Sequence, residues 1–255
     1  MNASLNHPLL VFAVSFGVLW LTAWTASSVL KKRRDLEEAA REDFGVVVGA
    51  TLTLLALLIG FSFSMAVARY DQRKIYEEAE ANAIGTEFVR AGLLPSADAK
   101  AVRALLRNYL DQRLSFYVTR NEQQLSQINT HTAQLQSDLW SAVQTPATAQ
   151  PNPVVALAVS GMNDVLNSQG YTQAAWWNRI PYAAWGLMVL IAICCNLLVG
   201  YEARNTKIRG ILLPILPLIV ATAFLLIADM DSPRGGLIHV YPQNLLSLSA
   251  SLPAR

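Results

Sequence analysis

Four stretches of this chain, Pro8–Leu30, Phe44–Ala68, Ile180–Tyr201 and Ile211–Ala228, are apolar and hold no Asp, Glu, Lys or Arg. Nothing else in the sequence limits the fold as strongly. An α-helix needs about 20 apolar residues to cross about 30 Å of hydrocarbon, where each backbone polar group must be satisfied inside the protein. Core helices of soluble proteins are usually shorter and keep a polar stripe. With 53% hydrophobic and 15% charged residues, the whole chain leans the same way. The four stretches are therefore predicted to be transmembrane helices. The first is not read as a cleaved leader, because no basic residues precede it. It is followed at once by Lys31, Lys32, Arg33 and Arg34, a stop-transfer flank.

The second stretch does not stop at the membrane. From Gly60 to Arg90 the sequence GFSFSMAVARYDQRKIYEEAEANAIGTEFVR contains no proline, so the helix is predicted to run on to about Leu94, where Pro95 ends it. About 25 extra residues extend a helix about 37 Å beyond the bilayer. Arg73 with Glu77, and Lys74 with Glu78, fall at i,i+4 and read as pairs on an exposed helix. Ser96 is the expected cap of the next helix, with Asp98 in its first turn. Its apolar stripe is Val102, Leu105, Leu106, Tyr109, Leu110, Leu114 and Tyr117. A third helix is predicted over Glu122–Val143, with Leu125, Ile128, Thr132, Leu135, Leu139 and Val143 on one face. The three prolines of TPATAQPNP, Thr145–Pro153, predict a loop. A fourth helix follows with Val155, Leu157, Ala158, Met162, Val165 and Leu166, and Gly170 and Pro181 are possible bends. Trp176, Trp177, Tyr182 and Trp185 mark the bilayer interface on the way back. In the last span Pro214 and Pro217 either start or kink the helix, and LIHVY in the tail alternates like a short strand.

The predicted fold is therefore all-α: four transmembrane helices with an extramembrane helical bundle inserted between the second and third. Residues 1–68 form spans one and two with a basic loop, 69–179 the extramembrane four-helix region and 180–229 spans three and four. Residues 230–255 form a surface-lying tail. The short loops Lys31–Asp43 and Glu202–Gly210 carry most of the flanking Lys and Arg. By the positive-inside rule they are cytoplasmic, and both termini and region 69–179 are extracytoplasmic.

Several positions could carry function. Gly45, Gly49, Thr53, Ala56, Gly60, Ser64 and Ala68 place small residues on one face of the second span. Gly45, Gly49, Gly60 and Ser64 are expected to permit close helix packing, within the subunit or between subunits. Ile59, Phe63 and Val67 recur at i, i+4, i+8 on a neighbouring face; such a stripe could gate a pore by dewetting or simply face lipid. A charged collar is expected from Arg69, Asp71 and Arg73 on the second span with Asp229, Asp231 and Arg234 after the fourth, either as a structural clamp or as an ion-selecting vestibule. Glu77, Glu78, Glu80 and Glu87 form the one dense acid cluster and are read as a solvated face with salt bridges. Cys194 and Cys195 are adjacent and read as apolar filler. His7, His131 and His239 are scattered, so no metal site, cofactor or catalytic residue is predicted. Net charge is +2, and the basic residues read as topology, not as a nucleic-acid surface.

Taken in order, GFSFSMAVARYDQRK, EEAEANAIGT, LRNYLDQRLSFY and LIADMDSPRGGLI resemble the bacterial bestrophin-like membrane proteins, a domain family of unknown function. The resemblance spans Phe44 to Leu248. It implies kinship with bestrophins, which are pentameric anion or cation channels with a hydrophobic neck on the second transmembrane helix. On this implication Ile59, Phe63 and Val67 are the neck candidates. Bestrophins keep their termini and central helices in the cytosol, the reverse of what the basic loops indicate here. The leading expectation is a non-enzymatic, homo-oligomeric, ion-channel-like protein of the bacterial inner membrane, with the lipid bilayer and small inorganic ions as partners. The alternative is a membrane sensor or scaffold whose external bundle binds a ligand or partner protein.

Overall fold

The computed structural model describes residues 7–28, 38–203 and 212–253. Lys31–Arg34 and Arg204–Arg209, on which the sidedness expectation rests, lie outside them. The elements are α1 (Pro8–Ser28), α2 (Glu38–Arg90), a 3-10 turn (Ala91–Leu93), α3 (Ser96–Val118), α4 (Glu122–Ala149), α5 (Pro153–Trp177), α6 (Tyr182–Glu202), α7 (Ile215–Asp231) and α8 (Gln243–Ser251). Among the described residues there is no strand; LIHVY is irregular and leads into α8. Three stretches, Pro8–Ser28, Asp43–Leu93 and Pro153–Glu202, contain enough apolar length to cross a membrane. The fourth expected span is α7, a helix of 17 residues.

Local chemistry explains where the helices begin and end. The long second helix stops at Arg90, tightens into the 3-10 turn and becomes extended at Leu94. An extended conformation is what a residue before proline adopts. Pro95 then takes the cap position itself, so Ser96 is the first helical residue and makes no cap hydrogen bond. Asn121 Oδ1 accepts from the amides of Gln123 and Gln124, and Asn152 Oδ1 from those of Val154 and Val155, which satisfies donors left over at the starts of α4 and α5.

The expected loop at Thr145–Pro153 is shorter than its prolines suggest. Pro146 lies inside α4, which continues to Ala149, while Pro153 is the first residue of α5. A proline near a helix end forfeits a single hydrogen bond, and Pro146 is buried there. Gly170 causes no break in α5, and the helical run is interrupted instead at 178–181, whose last residue is Pro181. Pro214 caps α7 and Pro217 occupies its first turn, where amides have no intrahelical acceptor anyway. The two prolines start the helix and do not kink it.

The chain forms two compact units. The first comprises Met1–Tyr70 and Arg179–His239. In it α1 packs along α6 and α7. Its core includes Leu19, Leu55, Ala66, Trp185, Met188, Ala192, Cys195, Val220, Phe224 and Ile227. Trp185 meets Phe224 edge-on, with ring centroids 5.9 Å apart. It is therefore a core residue, and Tyr182 remains exposed.

The second unit comprises Asp71–Asn178 and Val240–Arg255. Here α3 packs on α4, α4 on α5, and α8 on α3. Val102, Leu106, Tyr109 and Leu110 of α3 meet a core that includes Leu139 and Val143 of α4 and Ala158, Met162 and Val165 of α5, all of them buried. Leu157, expected on that stripe, is 51% exposed. Trp176 is buried against Phe116 and Tyr117, at 4.9 and 5.5 Å, whereas Trp177 is exposed. Four aromatics expected at one interface thus divide between core and surface.

Candidate functional site

In the first unit the decisive feature is the apolar half of α2. Val48, Leu55, Ser62 and Ala66 are buried, and Leu52 and Ile59 pack on the core. These positions share one side of a 3.6-residue helix. Gly45, Gly49, Thr53, Ala56, Gly60, Ser64 and Ala68 form the other side, and all seven are exposed. A Cβ added at Gly45, Gly49 or Gly60 would meet nothing within 4 Å. Among the described residues nothing therefore packs on the small stripe at those three glycines. Each four-residue step advances about 40° around a helix. Accordingly Ile59 leans on the core, Phe63 is 38% exposed and Val67 is half-buried, so these three run obliquely from the core towards the small stripe.

The collar residues are placed as follows. Asp229 and Asp231, at the end of α7, are buried. The Asp229 carboxylate accepts from the amides of Leu237 at 2.8 Å and Ile238 at 3.2 Å. Asp231 accepts from the amide of Ile180 at 3.0 and 3.2 Å, next to the start of α6. Gly236 has φ of 123°, a left-handed conformation that favours glycine, and a Cβ there would collide with Asp229 Oδ1. The motif LIADMDSPRGG thus reads physically as a folded-back turn held by the Asp229 carboxylate, while Asp231 ties the end of α7 to the residue two before α6. Arg69 is half-buried and reaches Met65 O at 3.5 Å, and Arg234 is half-buried. In the second unit Asp71 is exposed, while Arg73 is 1% exposed and its Nε donates to Ala175 O at 3.4 Å.

The second unit also overturns the reading of the acid cluster. Glu78 is exposed, but Glu77, Glu80 and Glu87 are buried on one face of α2. Ionised carboxylates are costly to bury unless donors surround them. Glu77 has two: Asn244 Nδ2 at 2.6 Å and the amide of Leu245 at 2.9 Å. It therefore caps α8 from another helix and is not half of an exposed pair with Arg73. Glu77→Ala is expected to weaken α8 docking by about 0.5–2 kcal/mol. Hydrogen exchange would report it as lost protection over 243–251 with the rest of the unit unchanged.

Glu80 is enclosed by four donor atoms. Arg113 approaches through Nε and Nη2, Tyr117 OH lies at 3.3 Å and Thr172 Oγ1 at 3.1 Å. Glu80 and Arg113 are both 0% exposed, and the guanidinium also lies 4.3 Å from the Phe116 ring centroid. Burial would pull the Arg113 pKa down, but the Glu80 carboxylate outweighs this and holds it above the ordinary value. Burial first, and Glu80 second, raise the pKa of Tyr109 and of Tyr117, so both phenols stay protonated. Arg113 escaped the sequence reading although it left a signal: it falls at helical spacing between Tyr109 and Tyr117 on an otherwise apolar stripe. Among the described residues no group of three or more His, Cys, Asp or Glu could hold a metal ion.

Residues 10–245 match the family model of the Bestrophin-like domain. No curated protein matches the sequence. Among solved structures, the chain is similar to a bacterial bestrophin homologue from Klebsiella pneumoniae. A point variant of that protein gives a TM-score of 0.64 at 12% identity, over 94% of this chain and 99% of that one. A structure of the homologue phased with zinc gives 0.64 at 12% identity, over 96% and 99%. At this identity the likeness is one of fold.

Proposed function

We propose, on the premise that the chain belongs to the Bestrophin-like family, that it is a homo-oligomeric ion channel of the bacterial inner membrane with α2 nearest the central axis. One observation carries the reading: the seven-residue small face of α2 is exposed along its length, with open space at Gly45, Gly49 and Gly60. Small residues let membrane helices approach closely, and a second copy of the same helix would supply a neighbour that the described residues do not. In this arrangement α1, the apolar half of α2, α6 and α7 are the spans. The 17 residues of α7 reach about 26 Å, close to the hydrocarbon thickness. The second unit then stands outside the membrane, on the side that the basic loops assign to the extracytoplasm. Phe63 and Val67 turn towards the small stripe, where bulky apolar side chains would narrow a pore and gate it by dewetting.

Purified oligomer reconstituted in planar bilayers should carry current, and Phe63→Ala should change its conductance several-fold. Gly49→Trp should break the oligomer, read by light scattering, while leaving the subunit folded, because among the described residues a Cβ there meets nothing within 4 Å. A folded oligomer that stays electrically silent under both polarities would sink the channel reading.

A second reading, a sensor or scaffold whose helices bind a ligand, is favoured by one feature. An open cavity of about 430 Å³ between α3 and α4 is lined by Gln112, Ser115, Thr119, Gln124, Gln127, Ile128 and His131. A silent oligomer that bound a polar ligand there, with binding lost in Gln127→Leu, would support this reading over the first.

A further inference from the structure

Three glutamates share the buried face of α2, and their surroundings differ in a telling way. Glu77 has two donors and Glu80 has four, whereas among the described residues neither carboxyl oxygen of Glu87 has a hydrogen-bond partner. Glu87 is 0% exposed. It lies against α5 at Gly161, whose missing side chain makes the room: a Cβ there would collide with Glu87 Oε2 and lie 2.7 Å from Arg90 Nη1. Among the described residues the charged groups near it come from three helices. On α2 there is Arg90, on α5 Asp164, and these two pair with each other at 3.8 Å. From α3, Arg103 and Arg107 approach the neighbouring Phe88 ring, at 5.3 and 5.4 Å, and Arg103 Nε donates to Phe88 O. The residues of α8 carry no charge.

We infer that Glu87 is a proton-binding site that governs the docking of α5 on α2. A neutral carboxyl tolerates a slot with no donor within hydrogen-bond reach, while a carboxylate there lacks every donor that its two neighbours possess. Losing the proton favours a state in which α5 lifts from Glu87 and admits water, and in which the carboxylate competes with Asp164 for Arg90. The arrangement is independent of whether the protein conducts.

The sign follows from the two states. Burial, opposed by Arg90 and reinforced by Asp164, pushes the docked pKa from 4.5 up to about 8. With α5 lifted, Glu87 returns to the ordinary range. The stabilisation of the docked state is thus complete below about pH 4.5 and is lost progressively up to about pH 8, beyond which it levels off. Within that window each pH unit lowers the docked-to-lifted ratio about tenfold.

The test is hydrogen exchange on the full-length protein in nanodiscs, followed over residues 158–169 and corrected for intrinsic exchange. Wild type should open about a hundredfold more at about pH 7.5 than at about pH 5.5. Glu87→Gln, neutral at both, should hold its protection across the range. Coincident profiles for wild type and Glu87→Gln would overturn the inference. Should Glu87→Gln fail to fold, infrared titration of wild type decides. A protonated-carboxyl band that persists at about pH 7 and disappears by about pH 9.5 supports the assignment, and its absence at about pH 7 overturns it.

Discussion

Replacing Arg113 by alanine should destabilise the second unit by about 3–5 kcal/mol, as much as truncating a large apolar core residue. The reason is the company left behind. Glu80 sits at zero exposure and relies on the guanidinium for two of its four donor contacts. Without it, a buried carboxylate retains only the Tyr117 and Thr172 hydroxyls. The aromatic wall also loses the cation lying over Phe116. The double variant Arg113→Met with Glu80→Met should recover most of the loss, since removing both partners leaves no orphaned charge. Thermal unfolding of the two proteins in the same detergent checks this. If the single variant were as stable as wild type, Glu80 could not be the buried, four-donor carboxylate described above.

Gly200→Leu should be comparably damaging, through packing rather than charge. A Cβ at Gly200 would collide with the carbonyl oxygen of Ala23 and lie 2.9 Å from Ala23 C and Cα. Backbone cannot swing aside as a side-chain tip can, so α1 and α6 must separate along a tightly packed seam. Overpacking usually costs about 1–3 kcal/mol, and the leucine, larger than the alanine that already clashes, belongs at or beyond the top of that range. Gly186 on the same helix offers the control, because a Cβ there meets nothing within 4 Å. Gly186→Leu should leave the unfolding transition of the reconstituted protein nearly unmoved. Equal shifts in the two variants would mean that Gly200 does not mark a close α1–α6 approach.

Much of the architecture can be read from residue order because it depends on local properties. Apolar length selects helices in hydrocarbon, Pro95 and Pro153 bound helices, and the 3.6-residue period orders the stripes of α3, α4 and α5. The small-residue face of α2 is likewise legible in spacing alone, from Gly45 to Ala68. A residue's role is hidden in the sequence where it depends on a partner distant along the chain. Glu77 looked solvated until α8, more than 160 positions away, placed its N-terminus over the carboxylate. Glu80 and Glu87 looked alike, seven residues apart on one face. Only the folded unit gives the first an arginine, a tyrosine and a threonine, and the second a glycine. The paired aspartates of LIADMDSPRGG are legible as part of a charged collar, but spacing does not show that both accept from backbone amides of their own unit.

The amino-acid order by itself determined that this chain is helical, that long apolar segments dominate it, and that the second helix carries a small face beyond which it runs on as a charged rod. Those properties follow from hydrophobic length, periodicity and the placement of proline, each local to a few turns. Tertiary structure alone decided which charges are buried and what surrounds them. The free energy of a carboxylate depends on donors brought within about 3 Å, and for Glu77 and Glu80 those donors come from helices tens to more than a hundred residues away along the chain.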